Sequence, residues 1–96
     1  MRTVKGTLKH GMKLGERTLK NFELREASTA DLFAAESEAG VDTPLKFNGA
    51  MMVRQLVRID DYEGPFTLGL IASLKTADYS ILRAAQMEMD RLGESS

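Results

Sequence analysis

The chain has 96 residues, 43% of them apolar and 28% charged, with a net charge of −1. That is enough for one domain with one buried core. No run of about 18 apolar residues suggests a membrane span, and Met1-Arg2-Thr3-Val4-Lys5 lacks the apolar stretch of a signal peptide, so a cytoplasmic domain is expected. The absence of cysteine excludes disulfides, thiolate nucleophiles and cysteine-ligated zinc.

From Thr3 to Leu14 the residues alternate. Val4, Gly6, Leu8, His10, Met12 and Leu14 fall on one side, Thr3, Lys5, Thr7, Lys9 and Lys13 on the other. Period two predicts a half-buried strand, with bends at Gly6 and at His10-Gly11. Gly15-Glu16 reads as a turn, and Leu19 to Arg25 as the returning strand with Phe22 and Leu24 inward. A hairpin alone is marginal, so helices must cover its apolar face.

Ser28 can cap a first helix over about 29–38, with Asp31 completing a capping box. Leu32, Phe33, Ala35 and Ala39 are its candidates for the core. Gly40 to Asn48, with Pro44, reads as a loop anchored by Leu45 and Phe47. The central helix is expected from Asn48 to about Ile59. There Met52, Val53, Leu56, Val57 and Ile59 share one arc, Arg54, Gln55 and Arg58 oppose them, and Met51 lies among the arginines. After Gly64-Pro65, Thr67 can cap a short apolar helix, Leu68 to Leu74, expected to be buried. Thr76-Ala77-Asp78 opens a last helix that Gly93 ends, with Ile81, Leu82, Ala85, Met89 and Leu92 on its core stripe and Met87 on the far side. The expected architecture is a single α+β domain over residues 1–96. It has an N-terminal antiparallel hairpin over about 3–26, three to four helices packed on it over about 28–92, and a frayed tail from 93 to 96.

Little in the chain carries chemistry. His10 is the only histidine, whereas a metal site wants several ligands and a triad wants an oriented base. Asp60-Asp61-Glu63 lacks the alternating ligand spacing of a calcium loop and reads as a solvated helix end. No glycine-rich phosphate loop is present. No enzyme activity, cofactor or metal is expected. Residues 1–25 carry seven Lys/Arg against two Glu, and residues 26–96 six against twelve acids. This split fits a solvated strand edge, self-association or a nucleic-acid-binding arm. The basic hairpin lacks interleaved aromatics for base stacking, which counts against nucleic acid.

The succession of short pieces resembles the small tail assembly chaperones of Mu-type contractile-tailed phages and related prophages. The matching pieces are Leu24-Arg25-Glu26-Ala27, Thr29-Ala30-Asp31-Leu32, Arg54-Gln55-Leu56-Val57-Arg58-Ile59, Glu63-Gly64-Pro65, and Asp78-Tyr79 with Leu82. Ala27-Ser28 departs from the pattern, which has a proline after Arg-Glu. The resemblance implies a non-catalytic protein that binds helical segments of the tape-measure protein and keeps it soluble during tail assembly in the cytoplasm of a bacterial host cell. It also implies a longer form of the chain made by translational frameshifting, the short form ending just after Leu92. Partners would be the tape-measure protein, other copies of this chain and that longer form, with no membrane. A structural tail or baseplate subunit and a small nucleic-acid-binding regulator are the alternatives. Methionine is over-used on surfaces that accept varied helices. The expected contact surface is therefore the exposed side of the central and last helices: Met51, Arg54, Arg58, Tyr79, Arg83 and Met87.

Overall fold

The hairpin forms where the alternation places it. β1 (Thr3–Leu14) and β2 (Arg17–Arg25) pair antiparallel around a Gly15-Glu16 turn. The computed structural model describes residues 2–40 and 42–94. Register runs from Thr3 opposite Arg25 to Thr7 opposite Asn21, and resumes at Met12 opposite Leu19. Between those two pairs β1 advances five residues while β2 advances two, so β1 bulges outward over residues 8–11. The bulge changes one inward assignment. Leu8 and Met12 stay buried, but His10 is exposed instead of facing the core. Gly11 makes the bulge possible, with φ of +95° and no room for a Cβ, which would stand 2.4 Å from Thr18 Cγ2.

The helical region departs further from its sequence pattern. α1 (Thr29–Ala39) keeps its expected bounds and its capping box: Ser28 Oγ accepts from the Asp31 amide, and Asp31 accepts from the Ser28 amide. Its core contribution differs, because Ala35 is buried while Leu32 is 45% and Phe33 68% exposed. α1 lies on α2 through small residues, so its larger apolar side chains face outward.

α2 runs from Pro44 to Gln55, and so begins where a loop was expected. Proline suits the first helical turn, where its missing N–H costs nothing. Val41, part of that expected loop, lies outside the described residues. The central helix then ends at Gln55, and Leu56–Ile59 forms β3 on the free edge of β2, giving the sheet order β1-β2-β3. Leu56 and Ile59 are buried, which a helical spacing of three and a short bulged strand satisfy equally. The pairing decides between them. Arg58 lies opposite Glu23 and Leu56 opposite Leu24, with Val57 as the extra residue, so β2 gains backbone partners along an edge otherwise unpaired.

α2 is also covered on two sides, with Met52 in the main core and Ala50 and Met51 in a second cluster beneath α1. A one-sided amphipathic pattern therefore misplaces Met51. α3 (Leu68–Ala72) is capped by Thr67, whose hydroxyl accepts from the Leu70 amide. It buries Ile71 alone, with Leu68 and Leu70 half-buried and Ala72 exposed, so it is a surface turn rather than a buried helix. α4 (Thr76–Glu94) continues through Gly93. Its tail beyond that, Ser95-Ser96, lies outside the described residues. Leu82, Ala85 and Met89 are buried against the sheet as the stripe predicts. The architecture is α+β, helices packed on a three-stranded antiparallel sheet.

Asp78 ties the layers together. Thr29-Ala30-Asp31 and Thr76-Ala77-Asp78 share a sequence, but only Asp31 serves its own helix end through a capping box. Asp78 is fully buried and reaches across to the β1 bulge. It accepts from the amides of Lys9 (2.6 Å), His10 (3.0 Å) and Gly11 (2.9 Å). Burial pushes its carboxyl up, but these three donors more than offset that and hold it below the ordinary value.

Candidate functional site

Three depressions that share lining residues form a groove beside the outward side of α4. Its apolar half starts at the N-terminus of α2. Leu45, Gly49 and Met52 lie on one helical stripe, four and three residues apart. Gly49 and Met52 are buried, while Leu45 runs past the edge of the core and is 73% exposed. A Cβ on Gly49 would sit 3.3 Å from Leu68 Cδ1 and 3.4 Å from Ile71 Cγ2, so the small residue lets α3 close against α2. Leu45, Leu68, Ile71, Ala72 and Tyr79 then line a depression of about 460 Å³. A second depression of about 550 Å³ continues along α4, lined by Leu45, Tyr79, Arg83, Ala84 and Met87. Met87 is 58% exposed.

Tyr79 joins the two depressions, and its hydroxyl donates to the Leu45 carbonyl oxygen at 2.6 Å. Burial raises the phenol above its ordinary range, against the opposing pull of the nearby Arg83 charge, so it remains a donor at neutral pH. This bond holds the start of α2 against α4 and fixes the groove's shape. Lys46 borders the apolar half.

The other end is polar. Ser28, Leu32, Phe47, Asn48, Gln55, Arg83, Gln86 and Asp90 are among the residues around a third depression of about 410 Å³. A buried amide network forms its floor. Gln86 Nε2 donates to the Asn48 carbonyl (3.2 Å) and to Gln55 Oε1 (2.9 Å), while Gln55 Nε2 donates to the Arg25 carbonyl (3.1 Å). Arg83 lines both this end and the apolar depression beside Met87, so it marks the middle of the groove.

Three of the six expected contact residues therefore come together: Tyr79, Arg83 and Met87. Of the others, Met51 borders only the polar depression, with Arg83, and Arg54 and Arg58 line no part of the groove. Met51 is 7% exposed and packs with Ala35 and Ala50, so its expected place on the exposed face is corrected. Arg54 bridges α2 to α1, donating to Glu38 Oε1 and to the Ala50 carbonyl, both at 2.8 Å. Arg58 stands on β3, 3.3 Å from Glu23, and lines a separate polar groove on the sheet with Lys5, Thr7, Asn21 and Asp60. Leu45 and Leu68 were missed as groove residues. Leu45 carried a signal in its spacing to Gly49 and Met52, but only once Pro44 is read as a helix start.

The groove offers apolar contact, hydrogen bonds and two cations. Among the described residues no group of three His, Cys, Asp or Glu could hold a metal ion. Among them, too, no helix is long and apolar enough to cross a membrane.

No curated protein and no solved structure is significantly similar to the chain. Residues 8–96, however, match the family described as tail assembly protein gp41, that of phage Mu, over most of the hairpin and all the helices that build the groove. The chain belongs to this Mu-like family of phage tail assembly proteins.

Proposed function

We propose that the protein is a tail assembly chaperone that holds helical segments of the tape-measure protein in the groove beside α4 and keeps that client soluble while the tail is built. The observation that carries this reading is the continuous apolar strip of Leu45, Tyr79 and Met87, two of its members more than half exposed. An exposed strip of this kind on a small domain suits a partner surface. Its straight course along a helix suits an amphipathic helix laid into a groove. A tape-measure protein is long and helical, so weak, repeated contacts from several copies would supply avidity without any one of them being tight. The role is one of binding; the groove's side chains have no part in bond-making chemistry in this reading.

The test is co-expression with the large helix-rich protein encoded nearby, followed by affinity capture and a solubility assay. The expected result is a client that is insoluble alone and co-purifies in soluble form with this protein. Substituting Met87→Asp should abolish that rescue. A client that is soluble alone and does not co-purify would refute the chaperone reading and favour a structural tail or baseplate subunit, which would also be found in purified virions.

A further inference from the structure

Arginine placement singles out one position in the groove. Among the described residues, six arginines pair with a carboxylate: Arg2 with Glu26, Arg17 with Asp61, Arg25 with Asp31, Arg54 with Glu38, Arg58 with Glu23 and Arg91 with Glu88. Arg83 is the seventh, and it forms no ion pair among the described residues. It is half-buried, and its guanidinium donates to the neutral Gln86 Oε1 at 3.2 Å. Asp90 shares the polar end of the groove but lies two helical turns on, roughly 10 Å along the axis. The cation therefore stands between Met87 and the buried amide network with most of its donor fork unspent.

We infer that Arg83 selects the segment the groove accepts: an amphipathic helix with a glutamate or aspartate set within its apolar stripe, the carboxylate pairing with Arg83 while the flanking apolar residues cover Leu45 and Met87. This rests on the chaperone reading above and specifies its client. A guanidinium presents a planar fork that matches a carboxylate in two parallel hydrogen bonds, which a lysine cannot reproduce. Partial burial beside Tyr79 and Met87 lowers the screening that makes exposed pairs weak. Lys46, bordering the apolar end and also without an ion pair among the described residues, gives the groove a second attraction for acidic segments. Purely apolar helices would leave the Arg83 fork covered and unpaired, a penalty that turns one cation into a filter.

The experiment uses the full chain and overlapping helical peptides tiled from the tape-measure protein, with binding read by fluorescence anisotropy. For each peptide that binds, its acidic residues are changed singly to the amides. The inference expects one acid whose loss weakens binding about 10-fold, an equal loss from Arg83→Gln with the native peptide, and no further loss when the two are combined. Arg83→Lys should recover only part. Arg83→Glu should bind the peptide in which that acid is replaced by arginine better than it binds the native one. Urea midpoints of the variants, matched to the parent, exclude unfolding as the cause. If Met87→Asp abolishes peptide binding while Arg83→Gln leaves it unchanged, the groove holds the client and the inference about the acid is wrong. If neither variant affects capture of the client, the groove is not where the client is held, and the inference about Arg83 falls while the chaperone reading stands. If Arg83→Gln changes the oligomeric state of the protein alone without altering client capture, the occupant is a second copy and the inference is overturned.

Discussion

Replacing Asp78 tests the idea that one carboxylate holds the helical layer to the sheet. Its oxygens accept from three consecutive backbone amides of the β1 bulge, at 2.6 to 3.0 Å, and the Gly11 amide among them is buried. Hydrogen bonds to a charged group contribute about 1.5–3 kcal/mol each, and an unsatisfied buried donor costs about 1–3. The Lys9 and His10 amides are only partly buried and would recover some of their loss from water. Asp78→Ala should then cost about 4 kcal/mol. Asp78→Asn, which keeps one acceptor but turns an amide NH₂ toward the donors, should cost about 2–3. A chain of this length has about 5–14 kcal/mol in total, so either change removes a large share of it. With a urea slope of about 1.5 kcal/mol per M, Asp78→Asn should lower the unfolding midpoint by about 1.3–2 M at pH 7 with the slope unchanged. Amide exchange at Lys9, His10 and Gly11 should accelerate more than elsewhere in β1. The acid side follows from linkage. The folded carboxyl titrates below its unfolded value, so its stabilisation is complete above that value and fades as pH falls through the folded one. The gap between parent and Asp78→Asn should therefore narrow in acid. A midpoint within about 0.3 M of the parent at pH 7 would refute the claim that Asp78 holds the bulge.

Met51→Asp should destabilise by about 3 kcal/mol or more, because it places a carboxylate in the cluster under α1, whereas Met87→Asp should stay within about 0.5 kcal/mol; urea melts separate them. A comparable loss from both would show that Met87 is covered. Gly6→Val should cost about 1–3 kcal/mol, since a Cβ there would stand 2.5 Å from Phe22 Cζ and the ring must move; unchanged stability would mean that the cross-strand contact is loose. Asp31, paired with Arg25 at 2.9 and 3.1 Å, has its carboxyl held at about 2 against an ordinary 3.8, the Arg25 hydrogen bonds being the main cause. Its contribution of about 2 kcal/mol is present above pH 4 and lost toward pH 2, so Asp31→Asn should flatten that part of the stability profile.

Much of the fold was legible in local pattern. Alternation in Thr3–Leu14 set the hairpin, Ser28 with Asp31 marked the start of α1, and the Leu82-Ala85-Met89 stripe marked the buried side of α4. These readings succeed because each rests on contacts within one element or on a single buried face. The succession of short pieces also carried the family, and Tyr79, Arg83 and Met87 were legible as an outward side of the last helix. Tertiary structure decided the rest. Leu56–Ile59 became a strand because β2 had an edge to pair, a need that periodicity alone does not register. Met51 went inside because α1 covers a second side of α2, so a helix buried twice no longer shows one apolar arc. Identical Thr-Ala-Asp triplets took different work, one capping its own helix and the other gripping a bulge far away in sequence. Leu45 came to line a groove because its stripe outruns the core that covers Gly49 and Met52. Sequence determined which faces could be apolar, and the neighbours brought up by folding determined which of them stayed exposed.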